Sequence, residues 1–313
     1  MPMGKDREIR GTLSGVSNLR FTKLEVRLLG LPDGFRSTLR GSTIRGALGR
    51  SLRETSCLKP GAKCGSCPLS DQCAYFYLFE TPSGPYLSST YKYPYYPHPY
   101  LIEPPLDGIS FGIVLLGRGA DFYNNTLLAI EKMGQSGLGR MRFRFSPEVF
   151  SGGFLVYKQG KLMAKPLYMT IDDYIASRIR PSEKWVLSFK TPTRVIHKGR
   201  LARRFTATGV VASLIRRLEL LTNLHQEPGF SLKLPPEKNL FEGLSVVEDR
   251  TYPVQHTSYS GRQKGKLRLQ GFMGDVVLSG GNELLWNLLV AGEIIHAGKG
   301  TSFGFGTYKI QEV

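Results

Sequence analysis

Two stretches of this chain alternate apolar and polar positions in the manner of half-buried strands. One is Phe21-Thr22-Lys23-Leu24-Glu25-Val26-Arg27-Leu28-Leu29; the other is Trp185-Val186-Leu187-Ser188-Phe189. Successive side chains of a strand point to opposite faces, so each pattern makes one apolar face. Both then give way to a period near 3.6. A helix is expected from about Thr38 to Glu54, with Ile44, Leu48 and Leu52 as its stripe, and another from about Thr206 to Leu224, with Val211, Leu214, Leu218 and Leu221.

The parallel continues. Two strand candidates follow each helix, around Tyr100–Ile102 and Ile109–Leu116 in the first half, and around Val254–Tyr259 and Leu267–Leu278 in the second. A leucine-rich helix comes next, Leu127 to Met133 and then Leu284 to Ile295. Each leads into a glycine-bearing segment, and Gly137-Leu138-Gly139-Arg140-Met141-Arg142-Phe143 aligns with Gly304-Phe305-Gly306-Thr307-Tyr308-Lys309-Ile310. The alternation after Gly139 predicts a final strand with Arg140, Arg142 and Arg144 on one face.

The order strand, helix, two strands, helix, strand therefore occurs twice. It predicts an α+β protein of two tandem ferredoxin-like (βαββαβ) domains, residues 1–150 and 183–313, each with helices on one sheet face and the other face free for a partner. Residues 151–182 fit neither repeat. They read as a hairpin (Phe154–Tyr157, a turn at Gln159-Gly160, Leu162–Ala164) and a connecting segment.

Charge narrows the class of partner. Among 313 residues, Lys and Arg number 42 against 25 Asp and Glu, a net charge of +17. A field of that sign attracts polyanions, of which nucleic acid is the commonest large one. The N-terminus carries charge where a signal peptide needs an apolar core, and Glu293 and His296 interrupt the longest apolar run. A cytoplasmic protein without a membrane partner is expected.

All the cysteines lie between Cys57 and Cys73. Cys57, Cys64, Cys67 and Cys73 form a C-x6-C-x2-C-x5-C insertion in the first domain. In a reducing compartment that spacing points to four thiolates around one ion rather than to disulfides. Structural zinc and an iron–sulfur cluster are both compatible with it, and neither is needed as a catalytic metal.

In the second half, the run Gly271-Phe272-Met273-Gly274-Asp275-Val276-Val277-Leu278-Ser279-Gly280 precedes the last helix. Beyond that helix comes His296-Ala297-Gly298-Lys299-Gly300-Thr301-Ser302-Phe303-Gly304-Phe305-Gly306. Glycines let the backbone approach a phosphate, and Lys299 adds charge; the same glycines also suit a tight structural connection. Glu293 and Gly300 exclude a P-loop reading.

These segments, with Tyr259-Ser260-Gly261-Arg262-Gln263 and the helix from Leu39, resemble the RAMP superfamily. Within it they are similar to the CRISPR-associated endoribonucleases that process precursor guide RNA, in a branch with an N-terminal cysteine cluster. The resemblance covers most of the chain and is specific mainly in residues 250–310. It implies binding of CRISPR repeat RNA and partnership with other CRISPR-associated proteins. It further implies metal-independent cleavage, in which the 2′-hydroxyl attacks its own phosphate and leaves a cyclic phosphate and a 5′-hydroxyl. A non-catalytic RAMP subunit of an effector complex is the alternative. A zinc-stabilised protein-binding scaffold is a third reading, and it leaves the charge without a purpose.

Such cleavage needs a base, an acid and cations. Relatives place a histidine in or near the first helix, whereas this one has Arg40, Arg45, Arg50 and Arg53. The candidates are then His296 beside the glycine-rich loop (298–306), His197 in the basic stretch Arg194 to Arg204, and His256 in a strand. His225, at a helix end, reads as structural, and His98 lies in a Tyr/Pro-rich run. Expected RNA contacts are Gly298, Lys299 and Gly300, then Arg194, Lys198, Arg200, Arg203 and Arg204, with Arg262 and, in the first helix, Arg40 and Arg45. Arg216 and Arg217 extend the same face, which could equally be an ordinary solvated surface.

Overall fold

The computed structural model of the chain describes residues 16–31, 40–81, 96–106, 109–139, 141–260 and 265–312; of residues 256–260 and 265–269 it describes the backbone. The first domain opens with strand β1 (Arg20–Leu29) and helix α1 (Gly41–Ser56). Strands β2 (Tyr100–Glu103) and β3 (Ser110–Leu116), helix α2 (Tyr123–Ser136) and strand β4 (Ser146–Ser151) complete it. The antiparallel order β2-β3-β1-β4 puts the first and third strands at the centre, the ferredoxin-like arrangement.

The second domain repeats that plan. It runs through β8 (Lys184–Thr193), α4 (Ala207–His225), β11 (Ser245–Asp249) and β12 (Tyr252–Ser260). Strand β13 (Gly265–Ser279), helix α6 (Glu283–Ile295) and strand β14 (Tyr308–Glu312) follow. Its order is β11-β13-β8-β14, with β12 also on β13. The 15-residue β13 is long enough to hold β12 along one half and β11 along the other.

The hairpin between the domains, β5 (Phe154–Lys158) and β6 (Lys161–Leu162), continues the first sheet beyond β4, and β7 (Tyr168–Thr170) pairs with β1. The short helices α3 (Ile171–Ala176) and α5 (Glu237–Leu240) sit in connections. A capping box holds the start of α3: Thr170 Oγ1 accepts from Asp173 N–H, and Asp173 accepts from Thr170 N–H.

Two expectations are corrected. The segment Gly137–Arg144 is not the last strand of the first domain. It is a tight turn closed by a Leu138–Phe143 bridge, with Arg142 in the left-handed region at φ 50°, and the strand starts only at Ser146. Arg142 and Arg144 therefore share no strand face, and Arg140 lies outside the described residues.

Nor is the second face of the first sheet free. Phe21, Leu101, Val114 and Leu116 join one buried cluster with Leu214, Leu218, Leu221 and Trp286 of the second domain. Their neighbours Leu24, Ile102, Ile113 and Leu115 belong to the first domain's own core. This strand alternation divides the sheet between two cores. The unbroken apolar run in β3 suits a strand covered on both faces. The domains are thus joined through a shared interior.

Candidate nucleic-acid interface

The basic stretch after β8 becomes a small hairpin, β9 (Ile196–His197) and β10 (Arg200–Leu201). Its two-residue turn places Lys198 at φ 48° and Gly199 at φ 75°, the pair of left-handed residues that a type I′ turn demands. Val195 is fully buried and anchors the base, where its carbonyl accepts from Ala202 N–H at 2.9 Å. Lys198 and Arg200 consequently stand out into solvent.

The hairpin rests on the first turn of α4. A Cβ at Gly209 would collide with the Thr206 hydroxyl and stand in ordinary contact, at 3.4 Å, with His197 Cβ and Val195 Cγ1, so the half-buried His197 lies against the helix at this glycine. One turn further along, Ser213 Oγ accepts from Gly298 N–H at 2.8 Å. Lys299 N–H donates to Arg194 O at 2.9 Å, and Gly306 N–H donates to Pro192 O at 3.0 Å. The glycine-rich loop is thereby stitched to the basic hairpin and to the start of α4, so Arg194, His197, Gly298 and Lys299 share one locality.

Charge there is uncompensated. Arg194, Lys198, Arg200, Arg203, Arg204 and Lys299 make no ion pair with a carboxylate among the described residues. Arg204 donates instead to Thr251 O at 2.8 Å, and Arg194 points toward Gln270 O at 3.4 Å. All but the half-buried Arg194 are exposed. Unpaired, exposed cations of this density suit a phosphate backbone.

His296 does not join them. It ends α6 at φ 59° with its side chain 0% exposed, and its Nε2 lies 3.7 Å from Glu103 Oε1 across the domain junction. Lys23 Nζ sits 2.6 Å from the other oxygen of that carboxylate. Burial opposes ionisation of Glu103, but the neighbouring His296 ring and the Lys23 ammonium outweigh it and hold the carboxyl below the usual range. Burial likewise pushes His296 down, against the pull of Glu103, and so favours the neutral ring. The expectation that His296 meets phosphate is corrected: no bulky anion reaches a ring enclosed by both domains.

Arg217 is corrected too. It is half-buried, donates to Ile295 O and His296 O at 2.8–3.1 Å, and caps α6; burial lowers its pKa to about 10. Arg216, one residue earlier, is exposed. In α1, Arg45 lies over the Phe303 ring at 4.6 Å and reaches His98 Nε2 at 3.3 Å, a junction contact rather than an open RNA contact. Arg40 is exposed at the start of α1, beside Gly41, whose missing side chain makes room for the Phe303 carbonyl. Gly300 is half-buried at φ 85° in the loop.

His225 is structural, as expected: it bonds Tyr77 Oη at 2.9 Å and Pro97 O at 3.0 Å, and burial lowers its pKa to about 4. His256 lies on β12 opposite Leu269, and Arg262 falls outside the described residues.

Cys57 caps α1, while Cys64, Cys67 and Cys73 flank two 3₁₀ turns beyond it. The thiols are free and partly exposed, and the Cys64 pKa is raised, by burial first and then also by Glu80, Cys57 and Cys73. Four soft donors on one short segment fit zinc or an iron–sulfur cluster chemically. Among the described residues, however, no three His, Cys, Asp or Glu side chains are drawn together closely enough to hold an ion. Among them, too, no helix is long and apolar enough to cross a membrane.

Sequence reasoning missed Ser213 and Gly209, which set the loop and hairpin on α4. The helical period itself carried a warning about Arg217, three residues after Leu214 and four before Leu221, on the apolar face.

Comparison with known proteins accords with this architecture. Residues 19–166 match a family model described as an N-terminal domain, and residues 187–308 match that of the CRISPR-associated endoribonuclease Cas6. A Cas6 product complex aligns at TM-score 0.52 and 17% identity over 94% of this chain and 100% of that one. Thermus thermophilus Cas6 aligns at TM-score 0.51 and 17% identity over 95% and 100%. At such identity the likeness is one of fold. No curated protein matches.

Proposed function

We propose that this chain, a CRISPR-associated protein of the Cas6/RAMP type, binds CRISPR repeat RNA across the β9–β10 hairpin and the glycine-rich loop and cleaves it there. The observation that carries this reading is the set of six cations, without a carboxylate partner among the described residues, gathered around the start of α4 with His197 among them. Phosphates on either side of the scissile bond would lie against Lys198, Arg200 and Lys299. His197 would take the proton of the 2′-hydroxyl as that oxygen attacks the adjacent phosphorus. The P–O5′ bond breaks, the departing oxygen takes a proton from solvent water, and a 2′,3′-cyclic phosphate and a 5′-hydroxyl result. Arg194 and Lys299 would offset the extra negative charge of the phosphorane, so no step requires a metal.

The binding half is tested by salt. Affinity for labelled repeat RNA should fall linearly on a log–log plot against salt, and Lys299→Ala should flatten the slope by roughly 0.7–0.9. A salt-independent affinity contradicts the reading.

One observation favours a second reading, a non-catalytic RNA-holding subunit: α1 has no histidine and His296 is enclosed, which leaves few groups able to move a proton. We further propose that the four cysteines close around a structural zinc ion or an iron–sulfur cluster. Elemental analysis of the purified chain should then find bound zinc, or iron with labile sulfide; a chain free of both contradicts the proposal.

A further inference from the structure

Beyond the cations lies a feature that phosphate binding does not use. A cavity of about 160 Å³ opens between Arg203 and the ribbon of β12 and β13, lined also by Pro253, Val254, Gln255, Gln270 and Gly271. Gln255 and Gln270 are direct cross-strand partners, so their side chains leave the ribbon on the same face, with Cβ atoms roughly 4.5–5.5 Å apart. Alternation places that face: Phe272, two residues after Gln270, is fully buried in the core. Gln270 therefore stands on the helix-facing side of the sheet yet is exposed, past the edge of the layer that covers Phe272. Gly271 is obligatory between them, because the Thr193 backbone occupies the place of any side chain there.

We infer that this cavity receives one unpaired nucleobase of the bound RNA, read by the Gln255 and Gln270 amides. The inference rests on the RNA-binding role proposed above. Each glutamine amide presents a donor and an acceptor side by side, the arrangement that matches a base edge. Pro253, two residues before Gln255 and so on the same face, adds an apolar surface for the ring, and the volume admits one base rather than a base pair. The cavity is also tied to the phosphate-binding groups: Arg194 points at the Gln270 carbonyl, and its own carbonyl receives Lys299 N–H. Cations fix where the strand lies, and the amides beside them choose which base sits down.

Binding of fluorescent 12-nucleotide oligo(A), oligo(C), oligo(G) and oligo(U) to the full-length chain tests this, at several salt concentrations. The wild type should prefer one base by about ten-fold. Gln255→Leu with Gln270→Leu, which keeps side-chain bulk, should shrink that preference to within about two-fold and leave the salt slope unchanged. Gln255→Asn alone, keeping an amide on a shorter arm, should retain part of the preference. A wild type that binds all four equally, or a double variant that keeps the full preference, overturns base reading while RNA binding stands. A wild type that binds none of the oligomers or repeat RNA overturns both. A thermal melt of the double variant separates misfolding from lost recognition, and if it has unfolded, each single leucine variant is read instead.

Discussion

The two glycine-bearing connections between helix and final strand look alike in sequence and differ in use. The first, after α2, closes on itself: Gly137 N–H returns to Met133 O, Leu138 and Phe143 bridge, and a side chain at Gly139 would meet open space. The second, after α6, is bound on every side. Gly298 abuts the Arg194 carbonyl, Gly304 abuts Pro104 and Ile102 of the first domain, and Gly306 abuts Ala297. Similar residues thus make a local turn in one domain and, in the other, a junction that holds the domains together and presents Lys299. What distinguishes them is the chain each loop meets, which a local motif does not encode.

That contrast breaks most sharply at glycine. Gly306→Ala forces a Cβ into the Ala297 backbone at φ 74° and should lower unfolding free energy by about 4 kcal/mol or more. Gly139→Ala, at φ 70° with no neighbour, should cost about 1–2 kcal/mol. Denaturant unfolding of both variants checks this, and equal losses would erase the distinction.

Acidity probes the junction next. His225 has a folded pKa of about 4 against an ordinary 6.5, so below pH 6.5 the unfolded chain takes up a proton that the folded chain refuses. Stability present at pH 7 should fall as pH drops from 6.5 to 4, by roughly 3 kcal/mol from this residue. Buried His296 acts in the same direction. Equal stability at pH 7 and pH 4 would contradict the enclosed, neutral histidines.

Much of the architecture was legible because periodicity is local. β1, β8, α1, α4 and α6 fall where the alternating and 3.6-residue patterns place them. The misreadings have physical causes. Gly137 to Arg144 alternates like a strand, but Gly137 at φ 81° and Arg142 at φ 50° turn the chain back before β4. Strand β11 is exposed along its length, and so carries little apolar signal. The site was legible as a composition of basic residues and glycines. Which of them share a locality was not, since that depends on α4 carrying Ser213 under one loop and Gly209 under the other. His296 illustrates the limit: its place beside Lys299 in sequence conceals that the backbone at φ 59° turns its ring into the interior.

The most direct test is single-turnover cleavage of labelled repeat RNA by excess protein in EDTA, with His197→Ala and His296→Ala alongside. The account predicts one defined cut leaving a 2′,3′-cyclic phosphate and a 5′-hydroxyl, slowed about 10²–10⁴-fold by His197→Ala and far less by His296→Ala once folding is matched. Tight binding with no cut across several repeats, or a cut that needs added divalent metal, would contradict it.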